Sequence, residues 1–338
     1  MWPGALDLPQ GVQRTSMTKT LAKIVLEGGR LRPFVRLLLS VAGIIVVTTA
    51  AGIVAIGMGT PFRWLPRSLA LLYWFNVLLL PLLLVLYTLL THRLEGRPLG
   101  SVGVAFHPRW KNELVMGIVV GTLMLLAVAS TERLLGVVRF SLRPSHAAGV
   151  VLAGGFYVVA MMAAASVEEL LFRGYPFQRL VEVAGPAIAV IAASIVFGAA
   201  HLRNPFQSWI STANTALVGV LLAVCYLRTR ALWLPIGIHF AWNFVQGYVL
   251  GFPVSGMVFP RGFLQAEVSG PSWLTGGAYG PEGSILSLGV IAAGTVYFFV
   301  STRVFVTREM QGLALGPRNE EAPVKTLFSG GGAPSGKR

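Results

Sequence analysis

Eight stretches of this chain are apolar over bilayer-spanning length: about 34–57, 68–91, 113–131, 147–181, 185–202, 209–228, 231–251 and 284–306. A spanning helix needs about 20 mostly apolar residues, so each stretch qualifies or nearly does. The polar positions gather between them in short, basic connections. The pattern predicts an all-α polytopic membrane protein, with about eight transmembrane helices enclosing an intramembrane cavity. It divides the chain into a basic tail over 1–33, three plain helices with their loops over 34–146, a core over 147–251, a Gly-, Pro- and Ser-rich loop over 252–283, a last helix over 284–306 and a disordered tail over 307–338. The fourth stretch is long, and its second half is polar. Pro176 is expected to kink or end it, because proline removes a helical N–H and crowds the preceding turn.

Composition agrees with the pattern. The chain is 54% hydrophobic and only 12% charged, with a mean hydropathy of +0.70. Soluble domains carry about twice that share of charge. The single cysteine, Cys225, excludes an intrachain disulfide framework and is expected to pack. A net charge of +14 is compatible with nucleic acid, but the bases flank apolar segments, as membrane orientation requires, so no nucleic-acid partner is expected. With the N-terminus inside, inner segments hold 20 Lys and Arg and outer segments hold 7. That split places both termini in the cytoplasm, supports an even number of spans and makes the plasma membrane the expected location.

The chemistry concentrates at Ser166–Pro176, where Glu168, Glu169 and Arg173 interrupt an apolar run that begins near Ala147. A charge at bilayer depth costs roughly 2.5–3.5 kcal/mol on insertion scales. Glu169 and Arg173 stand i, i+4, in the favoured order for an ion pair, while Glu168 points about 100° away. By itself this is equally a device for helix packing. Two histidines, His201 and His239, lie in the fifth and seventh stretches, and Asn243 shares a helix face with His239. His92, His107 and His146 fall in loops and receive no role. Counted from the inner helix ends at 1.5 Å per residue, Glu168 sits about 20 Å deep, His201 about 24 Å, and His239 and Asn243 about 12 and 18 Å. One slab of the bilayer holds all four, provided the fourth helix stays long; stopped at Arg173, it would strand Glu168 near the inner surface. The polar inner half of that helix predicts a site opening toward the cytoplasm.

A carboxylate and an imidazole on facing helices can hold and deprotonate a water, and a second histidine with an amide can donate to a developing oxyanion. This inventory suits hydrolysis of an amide inside the membrane. Other hydrolytic designs fit less well. An HExxH metal motif is absent, the one aspartate is Asp7 in the tail, and Ser255 lies in Pro253-Val254-Ser255-Gly256 rather than Gly-x-Ser-Gly. Two non-peptidase readings remain: a membrane immunity or scaffold protein that binds a peptide through the polar cluster, and a proton-coupled transporter, although no inverted repeat is evident.

Glu168-Glu169-x-x-x-Arg173, Phe197-x-x-x-His201 and His239-x-x-x-Asn243 resemble the three motifs of the CAAX-processing and bacteriocin-processing membrane proteases, the type II CAAX prenyl endopeptidase group. The likeness covers about 147–250. It implies intramembrane endoproteolysis near the C-terminus of a peptide or protein substrate, prenylated in the eukaryotic branch. It further implies that Glu168 is the catalytic carboxylate and that His201 shares its water. His239 and Asn243 would be oxyanion donors, and Glu169 with Arg173 would shape the site. A metal-free, glutamate-activated water is the implied chemistry; zinc on Glu168, His201 and His239 is the alternative.

Overall fold

The structure, a computed structural model, describes residues 25–27, 30–143 and 147–315. The first 24 residues of the basic tail, His146 and the tail from residue 316 lie outside the described residues. The chain is an all-α polytopic membrane protein. Its helices are α1 (Pro33–Gly57), α2 (Arg67–Leu89), α3 (Trp110–Leu134), α4 (Ala147–Arg173), α5 (Tyr175–Ala184), α6 (Pro186–Ala200), α7 (Trp209–Thr229), α8 (Trp233–Phe244), α9 (Ile285–Val300) and α10 (Arg308–Leu315). Among the described residues, five segments are long and apolar enough to cross a membrane: α1, α2 with its π-helical extension, α3, the α4–α5 path and α7. The apolar helices α6 and α9 are shorter, and α8 is prolonged by a π-helical turn over Val245–Val249. On α1 the exposed residues other than Thr49 are apolar, among them Leu38, Ile45, Val46 and Ile53, as a lipid-facing helix requires.

The fourth stretch is not one helix. It breaks at Gly174, whose backbone (φ −76°, ψ −140°) leaves the helical region before α5 begins. A Cβ there would stand 2.3 Å from the Leu170 carbonyl oxygen. That carbonyl accepts from the Gly174 N–H at 3.1 Å and also from the Tyr87 hydroxyl at 2.9 Å. Pro176 falls in the first turn of α5, where a missing N–H costs nothing. α4 therefore ends at Arg173, the stop that the depth count did not allow for, and α5 follows over Tyr175–Ala184 before α6 begins. The α5–α6 turn at Gly185 is a left-handed position (φ 83°) that glycine occupies without strain. A second correction concerns the C-terminal tail. Residues 308–315 form α10, which the Thr307 hydroxyl caps through the Met310 N–H and which buries Met310 against the bundle.

Each end of the bundle is tied by its own contacts. At one end, Glu95 meets Arg179 at 2.6 Å and Arg36 at 2.9 Å, Arg179 also meets Glu182 at 2.9 Å, and the Tyr175 hydroxyl donates to Glu95. Here too, Trp233 donates to the Ala105 carbonyl and Arg109 to the Arg303 carbonyl. This basic end therefore carries the connections 90–109, 174–185 and 230–232 and the segment after α9. At the other end, β1 (Val138–Leu142) pairs antiparallel with β2 (Leu264–Val268), Val138 opposite Val268 and Leu142 opposite Leu264. Tyr157 there donates to Pro260 O and Trp74 to Gly59 O.

The helix that carries His239 is set by a close crossing. Gly117 and Gly121 on α3 face Gly237 on α8. A Cβ on Gly117 would lie 2.4 Å from Leu234 O, one on Gly121 2.5 Å from Ile238 O, and one on Gly237 2.4 Å from Leu114 O. The two backbones touch, which is how small residues drive helix association where lipid is as apolar as leucine. Gly121→Ala is expected to force the helices apart at a cost of about 1–3 kcal/mol, the usual range for overpacking. Gly52→Ala, where nothing lies within 4 Å, is the neutral control. Thermal unfolding of the two variants in detergent checks this.

Candidate functional site

Four helices converge on Arg173. Its guanidinium is buried, donates from Nη1 to Glu169 Oε1 at 3.1 Å and from Nη2 to the Gly219 carbonyl of α7 at 3.1 Å, and lies 4.6 Å from the ring centroid of Phe197 on α6. The same Glu169 oxygen is 2.9 Å from His239 Nδ1 on α8. Glu169 is fully buried and faces away from the cavity, so it serves as the common acceptor for a cation and an imidazole. The i, i+4 spacing on α4 delivers the ion pair; the tertiary fold adds His239 and Gly219 to it.

Glu168 faces the other way, into a cavity of about 570 Å³. Its side chain is 30% exposed, and Oε2 stands 3.9 Å from His201 Nε2 and 3.7 Å from His239 Nε2. At those separations a bridging water fits better than a direct bond. Both imidazoles are anchored through their other nitrogen. His201 Nδ1 lies 2.8 Å from the Phe197 carbonyl oxygen, an acceptor only, so it carries the proton and Nε2 presents a lone pair. His239 Nδ1 likewise donates to Glu169. Phe197 is a wedge as well as an anchor, since its ring packs against Phe172, His201 and His239. Asn243 lines the cavity one turn beyond His239 and makes no hydrogen bond among the described residues. Glu168, His201, His239 and Asn243 thus share one chamber, with Glu169 and Arg173 beneath its wall.

Among the described residues, no three His, Cys, Asp or Glu side chains are grouped to hold a metal ion.

The 252–283 loop brings residues to the cavity that its composition did not announce. Val254, Ser255, Met257, Phe259 and Glu282 all line it. The Ser255 hydroxyl donates to Glu282 Oε1 at 2.7 Å, and the Ser255 N–H donates to the same oxygen, holding Ser255 at a left-handed φ of 49°. Burial pushes the Glu282 carboxyl above its ordinary range, opposed by those Ser255 hydrogen bonds. Asn214 of α7 pins the end of the loop through Nδ2 to the carbonyls of Glu282 at 2.9 Å and Ser284 at 2.7 Å. The sole advance signal was an acid in a chain with few of them, immediately before a helix. His107, assigned no role, is buried 3.3 Å from Glu113, a pair remote from the cavity lining. Cys225 is buried in packing, as expected.

The polar second half of the fourth stretch does not line the cavity. Arg179 and Glu182 are spent on the ion cluster with Glu95 and Arg36.

Residues 151–245 match the family model described as Type II CAAX prenyl endopeptidase Rce1-like. The match runs from α4 to the start of the π-helical turn after α8 and contains all six residues above. No curated protein and no solved structure matches the chain.

The buried ion pair and the cavity carboxylate should respond to neutralisation by very different amounts. Arg173→Met leaves Glu169 buried without its cation and is expected to cost about 3–5 kcal/mol. Glu168→Gln, at a cavity-facing position, should change stability by less than about 1 kcal/mol. Denaturation of both variants in the same detergent measures the difference.

Proposed function

We propose that this chain, Rce1-like over residues 151–245, is an intramembrane endopeptidase in which Glu168 activates a water held with His201. The observation that carries this reading is the convergence of three groups in one chamber: an unpartnered, buried Glu168 Oε2 and the Nε2 atoms of His201 and His239, both rings fixed through Nδ1. The Rce1-like match supports it at the level of the family, which is generally a protease family.

In the proposed reaction a water hydrogen-bonds to Glu168 Oε2 and to the lone pair of His201 Nε2. Glu168 takes one proton as the water oxygen bonds to the scissile carbonyl carbon, and the carbonyl π electrons move onto oxygen. Asn243 Nδ2 and His239 Nε2–H face the resulting oxyanion. For His239 to donate there, its ring must carry protons on both nitrogens, because Nδ1–H is committed to Glu169; the Glu169 carboxylate is the counter-charge for that imidazolium. The C–N bond then breaks, Glu168 returns its proton to the departing amine, and the products are a carboxylic acid and an amine. The resemblance of the three motifs points to a peptide bond near a substrate's C-terminus, in a chain that is prenylated in the eukaryotic branch.

The test is cleavage of a peptide library, prenylated CAAX peptides included, by purified wild type and Glu168→Gln with and without chelator. Wild-type cleavage should survive chelation, and Glu168→Gln should lose at least about 10²-fold in rate, the contribution of a positioned base. Loss of wild-type activity on chelation, or full activity of Glu168→Gln, overturns the mechanism. Asn243→Ala should lower kcat by about 10²–10³-fold with KM little changed, the signature of an oxyanion donor; steady-state kinetics on any cleaved peptide reads it.

A further inference from the structure

We propose that Glu282, Ser255 and Asn214 form a second polar subsite of the cavity, which takes a cationic side chain, Lys or Arg, of the polypeptide whose bond is cut at Glu168. This deepens the hydrolytic reading and rests on it for the bound molecule being a polypeptide; the subsite itself is argued from the cavity wall.

The wall is largely apolar, and its ionisable groups are few. Glu168 and Glu282 line it together with His201 and His239, and no Lys or Arg does. The two acids come from distant parts of the chain: Glu168 from α4, and Glu282 from the end of the 252–283 loop, two residues before the N-cap of α9. The other acids that the bundle encloses beside arginine are neutralised by it. Glu169 pairs with Arg173, and Glu95 with Arg36 and Arg179. Among the described residues, Glu282 forms no ion pair with Lys or Arg. It is close enough to His201 for the two to interact electrostatically, which puts it beside the proposed water.

The carboxyl of Glu282 is held in place from one side. The Ser255 N–H and hydroxyl both donate to Oε1, and neither engages Oε2. Asn214 fixes the backbone beneath it, Nδ2 donating to the carbonyls of Glu282 and Ser284. Those two acceptors settle which end of the amide is which, because only the nitrogen can donate to both. Asn214 Oδ1 is what remains: a buried acceptor with no hydrogen-bond partner, on a residue that lines the cavity.

A lock for the loop does not account for this inventory. The Ser255 bonds need one acceptor oxygen, which an amide supplies as well as a carboxylate. The negative charge and the unmet Oδ1 are surplus to that task. An ammonium or guanidinium group carries donors only, so it complements two acceptors that the protein leaves open. A cation seated here also supplies the counter-charge that favours the ionised carboxylate against burial. The aliphatic stem of Lys or Arg then lies along the apolar wall while its head reaches Glu282.

Peptide binding by the purified full chain in detergent tests this, and it does not depend on catalysis. The probe is a fluorescein-tagged ten-residue peptide of leucine and alanine with one central lysine, compared by anisotropy with counterparts that carry arginine, norleucine or glutamate there. Glu168→Gln is the host, which leaves Glu282 as the one carboxylate among the lining residues. The lysine and arginine peptides should bind at least about tenfold more tightly than the norleucine peptide, the low end for a hydrogen bond to a charged group. The glutamate peptide should bind most weakly. Adding Glu282→Gln keeps an oxygen for Ser255 and should bring the lysine and norleucine peptides to equal affinity, with the thermal unfolding midpoint unchanged. Equal binding of all four peptides by the host overturns the subsite whether or not the second variant folds. A lysine preference that survives Glu282→Gln overturns it too. Cleavage of the same peptides is scored separately: if Glu168→Gln cuts them at the wild-type rate while the lysine preference still depends on Glu282, the hydrolytic mechanism fails and the subsite stands.

Discussion

The structure depends on one buried carboxylate having two cationic or proton-donating partners. Glu169 cannot stay ionised in an apolar bundle alone, because an unpaired charge at this depth costs several kcal/mol. Arg173 pairs with it from the same helix, and His239 joins from α8. Arg173 then needs its own remaining donors satisfied, and it reaches Gly219 O on α7 and the face of Phe197 on α6. One electrostatic requirement therefore fixes four helices relative to each other. It also fixes the ring of His239, leaving Nε2 aimed at Glu168.

The adjacent residue has the opposite environment. Glu168 shares the backbone of Glu169 but faces the cavity, where its Oε2 has no protein partner. Two neighbouring glutamates thus divide the work. One is consumed by structure and the other is left with unmet hydrogen-bonding capacity, which a water can fill. Phe197 links the two: its ring lies against Arg173 and its carbonyl oxygen orients His201. A side chain that reads in sequence as another apolar residue is a contact point between the structural and the reactive halves of the cluster.

Small residues and loop anchors supply the remaining precision. Gly117, Gly121 and Gly237 let α3 and α8 meet backbone to backbone, which sets the depth of His239. At the cavity end, Asn214, Ser255 and Glu282 hold a long loop against the helices through hydrogen bonds to backbone and carboxylate. The bundle is consequently polarised along its axis: one end is closed by arginine–glutamate pairs and buried aromatic rings, and the other is built around a chamber.

The all-α membrane class followed from sequence because span length and apolar composition are local properties that the bilayer imposes directly. The Glu169–Arg173 pair was legible for the same reason, being a spacing on one helix. Glu168, His201, His239 and Asn243 line one cavity although α4 ends at Arg173, the case in which counting helical rise separates Glu168 from His201. Other features were beyond such reasoning. The break falls at Gly174, two residues before Pro176, where the backbone closes on Leu170 and Tyr87, residues 4 and 87 positions away in the chain. The second partner of Glu169, the anchoring of His201 by Phe197, and the arrival of Glu282 in the cavity are contacts between segments distant in sequence. The polar half of the fourth stretch stays out of the cavity lining for this reason: polarity is visible along a chain, but whether Arg179 faces a cavity or pairs with Glu95 is decided only when the helices pack.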